Sequence, residues 1–164
     1  KSPTWHAAEG LPMEEKLLDL LAQYGYEGPN ARIYVQSFEN HSLRMMRDDL
    51  GTKLPLVQLV DTGNNSDTGE NYSSMITQEG LKEIATFADG VGPYKMYIEA
   101  NPELVQWAHD DGLQVHTWTM RADSLPEKYS DFTEELNQFY FVYGVDGLFT
   151  DFTDRAVAFL QSAN

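Results

Sequence analysis

The segment LQVHTWTM, Leu113 to Met120, sets an imidazole and an indole two residues apart within one apolar run. If the run is a strand, its period of two points His116 and Trp118 to the same face, as it does Gln36 and Phe38 in the earlier run IYVQSF. An imidazole can move a proton or ligate a metal, and an indole offers an apolar plate to a ligand. The same spacing also suits a histidine satisfied inside a core and a tryptophan packed there. In parallel α/β architectures, ligands gather beyond the carboxyl ends of the strands. The side chains expected there are Lys1, Trp5, His6, Phe38, Glu39, Gln58, Asp61, Pro93, Trp118, Thr119 and Asp151. Polar Gln36 and His116 suit strand faces turned toward a solvated barrel mouth. Asp151 reads as a structural acceptor for backbone donors near the last helix. His41 and His109 fall on helix surfaces, and Asp67 with Glu70 lacks the ladder of a calcium loop. With no cysteine, a thiol nucleophile, a zinc-thiolate site and a disulfide are excluded. No nucleophile elbow, phosphate loop or dinucleotide fingerprint is present.

The elements that must carry these residues alternate strand and helix. Pro12 opens a helix to about Tyr24, with Leu17, Leu18, Leu20 and Leu21 on a broad apolar face, whereas residues 2–11 read as a loop. Ile33 to Phe38 is a strand. ENHSLRMMRDDLG follows as a helix with Leu43, Met46 and Leu50 inward and Gly51 at its end. Leu54 to Asp61 is the next strand, and Thr62 to Ser74 has the polar, glycine-bearing composition of a long structureless loop. Thr77 caps a helix packing through Leu81, Ile84 and Ala85. ADGVGP is a short strand that MYIEA extends or follows. Asn101 and Pro102 open another helix, closed by Gly112 before LQVHTWTM. A helix from about Phe132 to Tyr143, the strand GLFTDF and a last helix, DRAVAFLQSA, complete the chain. About five βα units with parallel spacing result, within a single domain spanning 1–164. They fit either a small doubly wound sheet or most of an eight-fold barrel.

The 41% apolar and 12% aromatic content of the 164 residues is enough for a sizeable core. Eleven basic residues face 26 acidic ones, a formal charge of −15, so nucleic acid is an unsuitable partner; the excess reads first as a solubility surface. No apolar run nears the roughly 18 residues of a membrane span. The start KSPTWHAAEG resembles neither a signal peptide nor an initiator methionine, which suggests a longer or processed parent.

Taken in order, QSF, LPLVQLVD, ADGVGP, VHTWTMRADSLP and GVDGLFTDFTDRAVAFL resemble the C-terminal part of a glycerophosphodiester phosphodiesterase, most closely the bacterial periplasmic type. The resemblance covers essentially the whole chain. It implies a (β/α)8 TIM-type barrel, of which this chain supplies about five βα units. It implies metal-dependent hydrolysis of a glycerophosphodiester to glycerol 3-phosphate and an alcohol, in a periplasmic or secreted setting. Lys1 matches the family's Glu-x-Lys lysine and is the one residue carried over to the catalytic apparatus, facing phosphate; a frayed terminal residue is the alternative. Trp118 becomes an apolar wall for glycerol, with Phe38 and Gln58 as further substrate-binding residues at the barrel mouth. The divalent cation, calcium or magnesium, would have its ligands and acid-base partners in family motifs that this sequence does not contain.

Three functional readings follow. The chain is the substrate-holding part of such an enzyme, a non-catalytic incomplete barrel acting as a binding module or proteolytic remnant, or part of a phospholipase D-like relative. Five parallel strands alone expose two edges and an inner face, so the expected companion is the missing N-terminal segment or another copy of the chain.

Overall fold

The computed structural model describes residues 1–163. Its strands are β1 (Val35–Ser37), β2 (Leu56–Val60), β3 (Gly90–Pro93), β4 (Gln114–Met120) and β5 (Gly147–Thr150). They form one parallel sheet in sequential order, a curled half-barrel with helices on its outer face. The α/β partial barrel is therefore the observed fold, and the open doubly wound sheet is not. The register of β4 on β5 shifts between Thr117 and Met120.

The helices are α1 (Pro3–Ala8), α2 (Glu14–Gln23), α3 (Asn40–Arg44), α4 (Gln78–Ile84), α5 (Lys95–Ala100), α6 (Glu103–Asp110), α7 (Phe132–Asn137) and α8 (Thr153–Ser162). Both α3 and α7 run on into wider π-type segments, Met45–Asp49 and Gln138–Tyr143. Residues 2–11 are thus helical in part, because Pro3 at the first position fixes φ and lacks the amide a helix start leaves unpaired. MYIEA is helix, not strand: Pro93 ends β3 and the chain turns at Tyr94. The helix after Asn101 begins one residue later than that cap implies, with Pro102 in the capping position. Leu17, Leu18 and Leu21 pack against the core, while Leu20 on the same helix stays 51% exposed.

Leu43, Leu81, Ile84, Leu104, Val105, Leu136 and Phe139 pack between helices and sheet with Leu56, Val60, Val91 and Val115. At each of two strand starts an Asp-Gly pair repeats one device. Asp89 accepts the Leu56 amide (2.8 Å) and Asp146 the Val115 amide (2.8 Å), each locking a strand to its neighbour. A ring or guanidinium nitrogen meets each carboxylate from the helical segment before the neighbouring strand, Arg47 on Asp89 (2.5 Å) and the His109 imidazole on Asp146 (2.9 Å). The Asp-Gly that marked strand starts in the sequence therefore fixes strand register.

The stretch after Asp61 is ordered. Asn64 and Asn71 form a bridge, and a 3-10 turn follows at Tyr72–Ile76. Asn65, 2% exposed, donates from its side chain to the Phe38 carbonyl (3.0 Å) and the Asn40 side chain (2.9 Å). Buried amides of this kind hold a polar loop that composition alone would leave loose.

Candidate functional site

Pleating decides which residues reach the concave face. Leu56 and Val60 belong to the helix-side core, so Val57 and Leu59 point inward. A Cβ at Gly90 would lie 3.3 Å from Val57 Cγ2, and one at Gly92 only 2.6 Å from Leu59 Cδ2. Glycines on β3 thus leave room for side chains from β1 and β4 to meet across the concavity. Tyr34 donates its hydroxyl to Gln114 Oε1 (2.8 Å), and its ring meets His116 edge-on at 4.5 Å. Higher up, Phe38 meets Trp118 edge-on at 5.7 Å, and Tyr94 lies 5.0 Å from the same indole. His116 and Trp118 therefore do share the inner face, at its middle and its carboxyl rim.

The rim is tightly braced. Three donors converge on the Phe38 carbonyl: Gln58 Nε2 and Asn65 Nδ2 at 3.0 Å each, and the Tyr72 hydroxyl at 3.5 Å. Trp118 Nε1 donates to the Gly92 carbonyl (2.8 Å) and Thr117 Oγ1 to the Pro93 carbonyl (2.9 Å). Burial, with Asp61, Asp67 and Glu39 adding negative charge, pushes the Tyr72 phenol up to about 12, so it remains a donor at neutral pH.

Of the four site residues expected from the sequence, Phe38 and Trp118 come together, half-buried. Lys1 is exposed; the Thr4 amide donates to Glu39 Oε2 (2.8 Å), which sets the start of the chain on the carboxyl side of β1. Gln58 requires a correction. It shares the helix-facing side of β2 with Leu56 and Val60, is fully buried, and spends its amide on the Phe38 and Leu59 carbonyls. It holds the rim from beneath and presents nothing to the mouth. Asp151 binds the Arg121 guanidinium (3.0 Å) in place of the backbone donors expected. Asp67 Oδ2 accepts the His41 amide at the first turn of α3 (2.8 Å).

Sequence reasoning missed a buried polar group beside the rim. Lys95 pairs with Glu135 at 2.6 Å, and Glu99 accepts from the Tyr129 hydroxyl (3.0 Å) and pairs with Lys128 (2.9 Å). Its available signal was the i, i+4 spacing of Lys95 and Glu99 just beyond Pro93 and Tyr94, which suits a helix better than a strand. Among the described residues no three histidine, aspartate or glutamate side chains gather to hold a metal ion.

Burial pulls the His116 imidazole below its ordinary value near 6.5, against a smaller upward pull from Asp146. A folded value below the unfolded one means the unfolded chain binds the proton first. Stability should therefore fall as pH drops through about 6.5 toward the folded value. Urea midpoints at pH 8 and 5.5 check this: His116→Gln should flatten the decline, and an unchanged slope would refute it.

Residues 2–155 match the family model described as the glycerophosphoryl diester phosphodiesterase family. The chain belongs to that family. It is 30% identical to a glycerophosphodiester phosphodiesterase of Haemophilus influenzae over 98% of its length and 51% of the relative's. Against the Treponema pallidum enzyme of the same name it is 29% identical, over 98% of its length and 52% of the relative's. A crystal structure of a putative glycerophosphoryl diester phosphodiesterase from Silicibacter pomeroyi superposes with a TM-score of 0.69 at 28% identity, over 96% of this chain and 46% of that one. The chain thus spans about half the length of the curated glycerophosphodiester phosphodiesterases it matches. Among the described residues no helix is long and apolar enough to cross a membrane.

Proposed function

We propose that this chain is the substrate-holding portion of a metal-dependent glycerophosphodiester phosphodiesterase and hydrolyses nothing alone. The carrying observation is the Phe38–Trp118 pair at the carboxyl rim of a half-barrel of this family. Hydrolysis adds water at phosphorus and breaks the bond to the leaving alcohol, whose oxygen must take up a proton. Here Trp118 supplies an apolar plate for the glycerol end, and Lys1, on the same rim, a compact positive charge for a phosphate oxygen. The metal and the acid-base groups belong to the other half of the barrel, so the chain acts with a companion, that half or a second copy. The exposed Tyr34 and Phe149 and the two strand edges support such a companion.

The test is co-expression of the chain with the N-terminal half of a family member, followed by glycerophosphocholine hydrolysis with and without a chelator. Turnover should appear only in the paired, metal-replete sample. In that sample Trp118→Leu should raise KM about tenfold, the loss of ~1.4 kcal/mol of aromatic contact. Equal turnover by the chain alone would overturn the reading, and a stable inactive pair would favour a non-catalytic binding module.

A further inference from the structure

Glu39 stands at the carboxyl end of β1, one residue beyond Phe38, and is only 4% exposed. Among the described residues no lysine, arginine or histidine pairs with it, so a buried carboxylate stands there without a counter-charge. Its oxygens meet neutral donors instead. Oε2 accepts the Thr4 amide at 2.8 Å, and Oε1 accepts the Ser66 hydroxyl at 3.3 Å. Such bonds must offset the cost of taking the charge out of water, and a charged acceptor makes them stronger than neutral ones.

Glu39 does not serve its own helix. It occupies the capping position of α3, where a side chain ordinarily accepts an amide of the first turn, yet it makes no such bond. That task falls to Asp67, whose Oδ2 accepts the His41 amide at 2.8 Å from 26 residues away. Glu39 is thereby free to reach α1. Thr4 is the second residue of that helix, and its amide is one of the donors that a helix start leaves unpaired. Ser2, in the capping position of α1, offers no side-chain acceptor, so the cap arrives from 35 residues along the chain. Ser2 itself lies at φ 52° and ψ 52°, a left-handed conformation that a serine keeps only where its surroundings hold it. One carboxylate thus fastens the segment that carries Lys1 to the strand end that carries Phe38, and ties the loop after β2 to the same point through Ser66.

We propose that Glu39 is a positioning residue for Lys1: by holding the Thr4 amide it keeps the Lys1 segment on the rim beside Phe38, where the ammonium serves a phosphate oxygen. The inference rests on the phosphodiesterase reading and deepens it. Glu39 touches no substrate and acts through another residue. Lysine carries its charge on a flexible four-carbon stem, so anchoring the backbone three residues away lowers the ordering cost of meeting the phosphate. The charge of Glu39 works the other way. A carboxylate repels an anionic phosphate, and removing that charge alone should tighten substrate binding. A loss on removal therefore reports the tie and not the charge.

The test uses both the chain and the paired, metal-replete enzyme. In the chain, 15N relaxation of the Ser2 and Thr4 amides should show an ordered segment that becomes mobile in Glu39→Ala and stays ordered in Glu39→Gln, which keeps an acceptor oxygen. In the pair, Glu39→Ala should raise KM for glycerophosphocholine about fivefold, the usual worth of a helix cap, while Glu39→Gln stays within about twofold of the parent. Glu39→Leu fills the same buried space without an acceptor, so it should follow the alanine variant and reports even if that variant folds poorly. Made on Lys1→Met, the Glu39→Ala effect should shrink below about twofold, because nothing is left to position. A merely structural loss would instead lower kcat through the active fraction, equally with and without Lys1. Unchanged relaxation in both Glu39→Ala and Glu39→Leu, a lowered KM in either, or an effect undiminished on Lys1→Met would overturn the inference. Unchanged relaxation beside normal turnover of the pair would sink this inference alone. A mobile segment in the variants beside a parent pair that hydrolyses nothing would sink the phosphodiesterase reading alone.

Discussion

Replacing Lys95 with methionine is expected to cost the fold about 3–5 kcal/mol, the usual penalty for stranding one partner of a buried ion pair. Lys95 is 7% exposed and Glu135 not at all, and their 2.6 Å contact joins α5 to α7 across 40 residues of sequence. Burial already pushes the Glu135 carboxyl above its ordinary range; the hydrogen bond and charge of Lys95 are the main influences opposing it. Without them the group escapes by protonating, so Lys95→Met should be least harmful in acid. For a carboxyl whose folded value is raised, its contribution is present below the unfolded value near 4.5 and lost as pH rises through the folded one. Denaturant midpoints should therefore show a larger deficit at pH 8 than at pH 5. Adding Glu135→Leu should restore most of the loss, since a well-packed apolar pair needs no counter-charge. A single-variant cost under about 1 kcal/mol, or no recovery in the double variant, would show that the pair does not hold these helices together.

That ion pair also marks where the sequence stops being readable. LQVHTWTM alternates, so the shared face of His116 and Trp118 followed directly from strand parity. LPLVQLVD is apolar on both sides, because β2 is buried on both faces, and nothing in it says that Gln58 turns toward the helices. MYIEA is too short to choose between periods of two and 3.6; its choice of helix is associated with Lys95 and Glu135, residues 40 positions apart. The loop after Asp61 looked structureless since composition reports polarity and not partners. Its order comes from Asn65 and Tyr72 reaching back to the Phe38 carbonyl. Family resemblance carried the barrel, but the ring of Tyr94 beside Trp118 depends on α5, which only the structure placed.

Gly80→Ala should destabilise the chain by about 3 kcal/mol, at the upper end of ordinary overpacking, even though alanine is the better helix former by ~1 kcal/mol. A Cβ at Gly80 would stand 2.2 Å from the Ser74 carbonyl oxygen and 2.7 Å from Met75 backbone atoms. Backbone cannot swing aside as a flexible side chain can. The approach is this close because Thr77 ties both partners: its hydroxyl donates to the Ser74 carbonyl (2.9 Å) and accepts the Gly80 amide (3.1 Å). An added methyl must push the 3-10 turn off the first turn of α4, which moves the buried Tyr72 and Met75 with it. Tyr72 also meets the Phe38 ring at 6.4 Å, so the disturbance reaches the rim, and near-ultraviolet circular dichroism should record it alongside the lowered denaturant midpoint. Gly69→Ala is the comparison. Its φ of +73° strains any side chain, but the site is open, so only the ~1–2 kcal/mol of left-handed backbone should be lost. If Gly80→Ala matched or exceeded the parent in stability, the loop would not be seated on α4 as described, and the bracing of Phe38 from that side would fall with it.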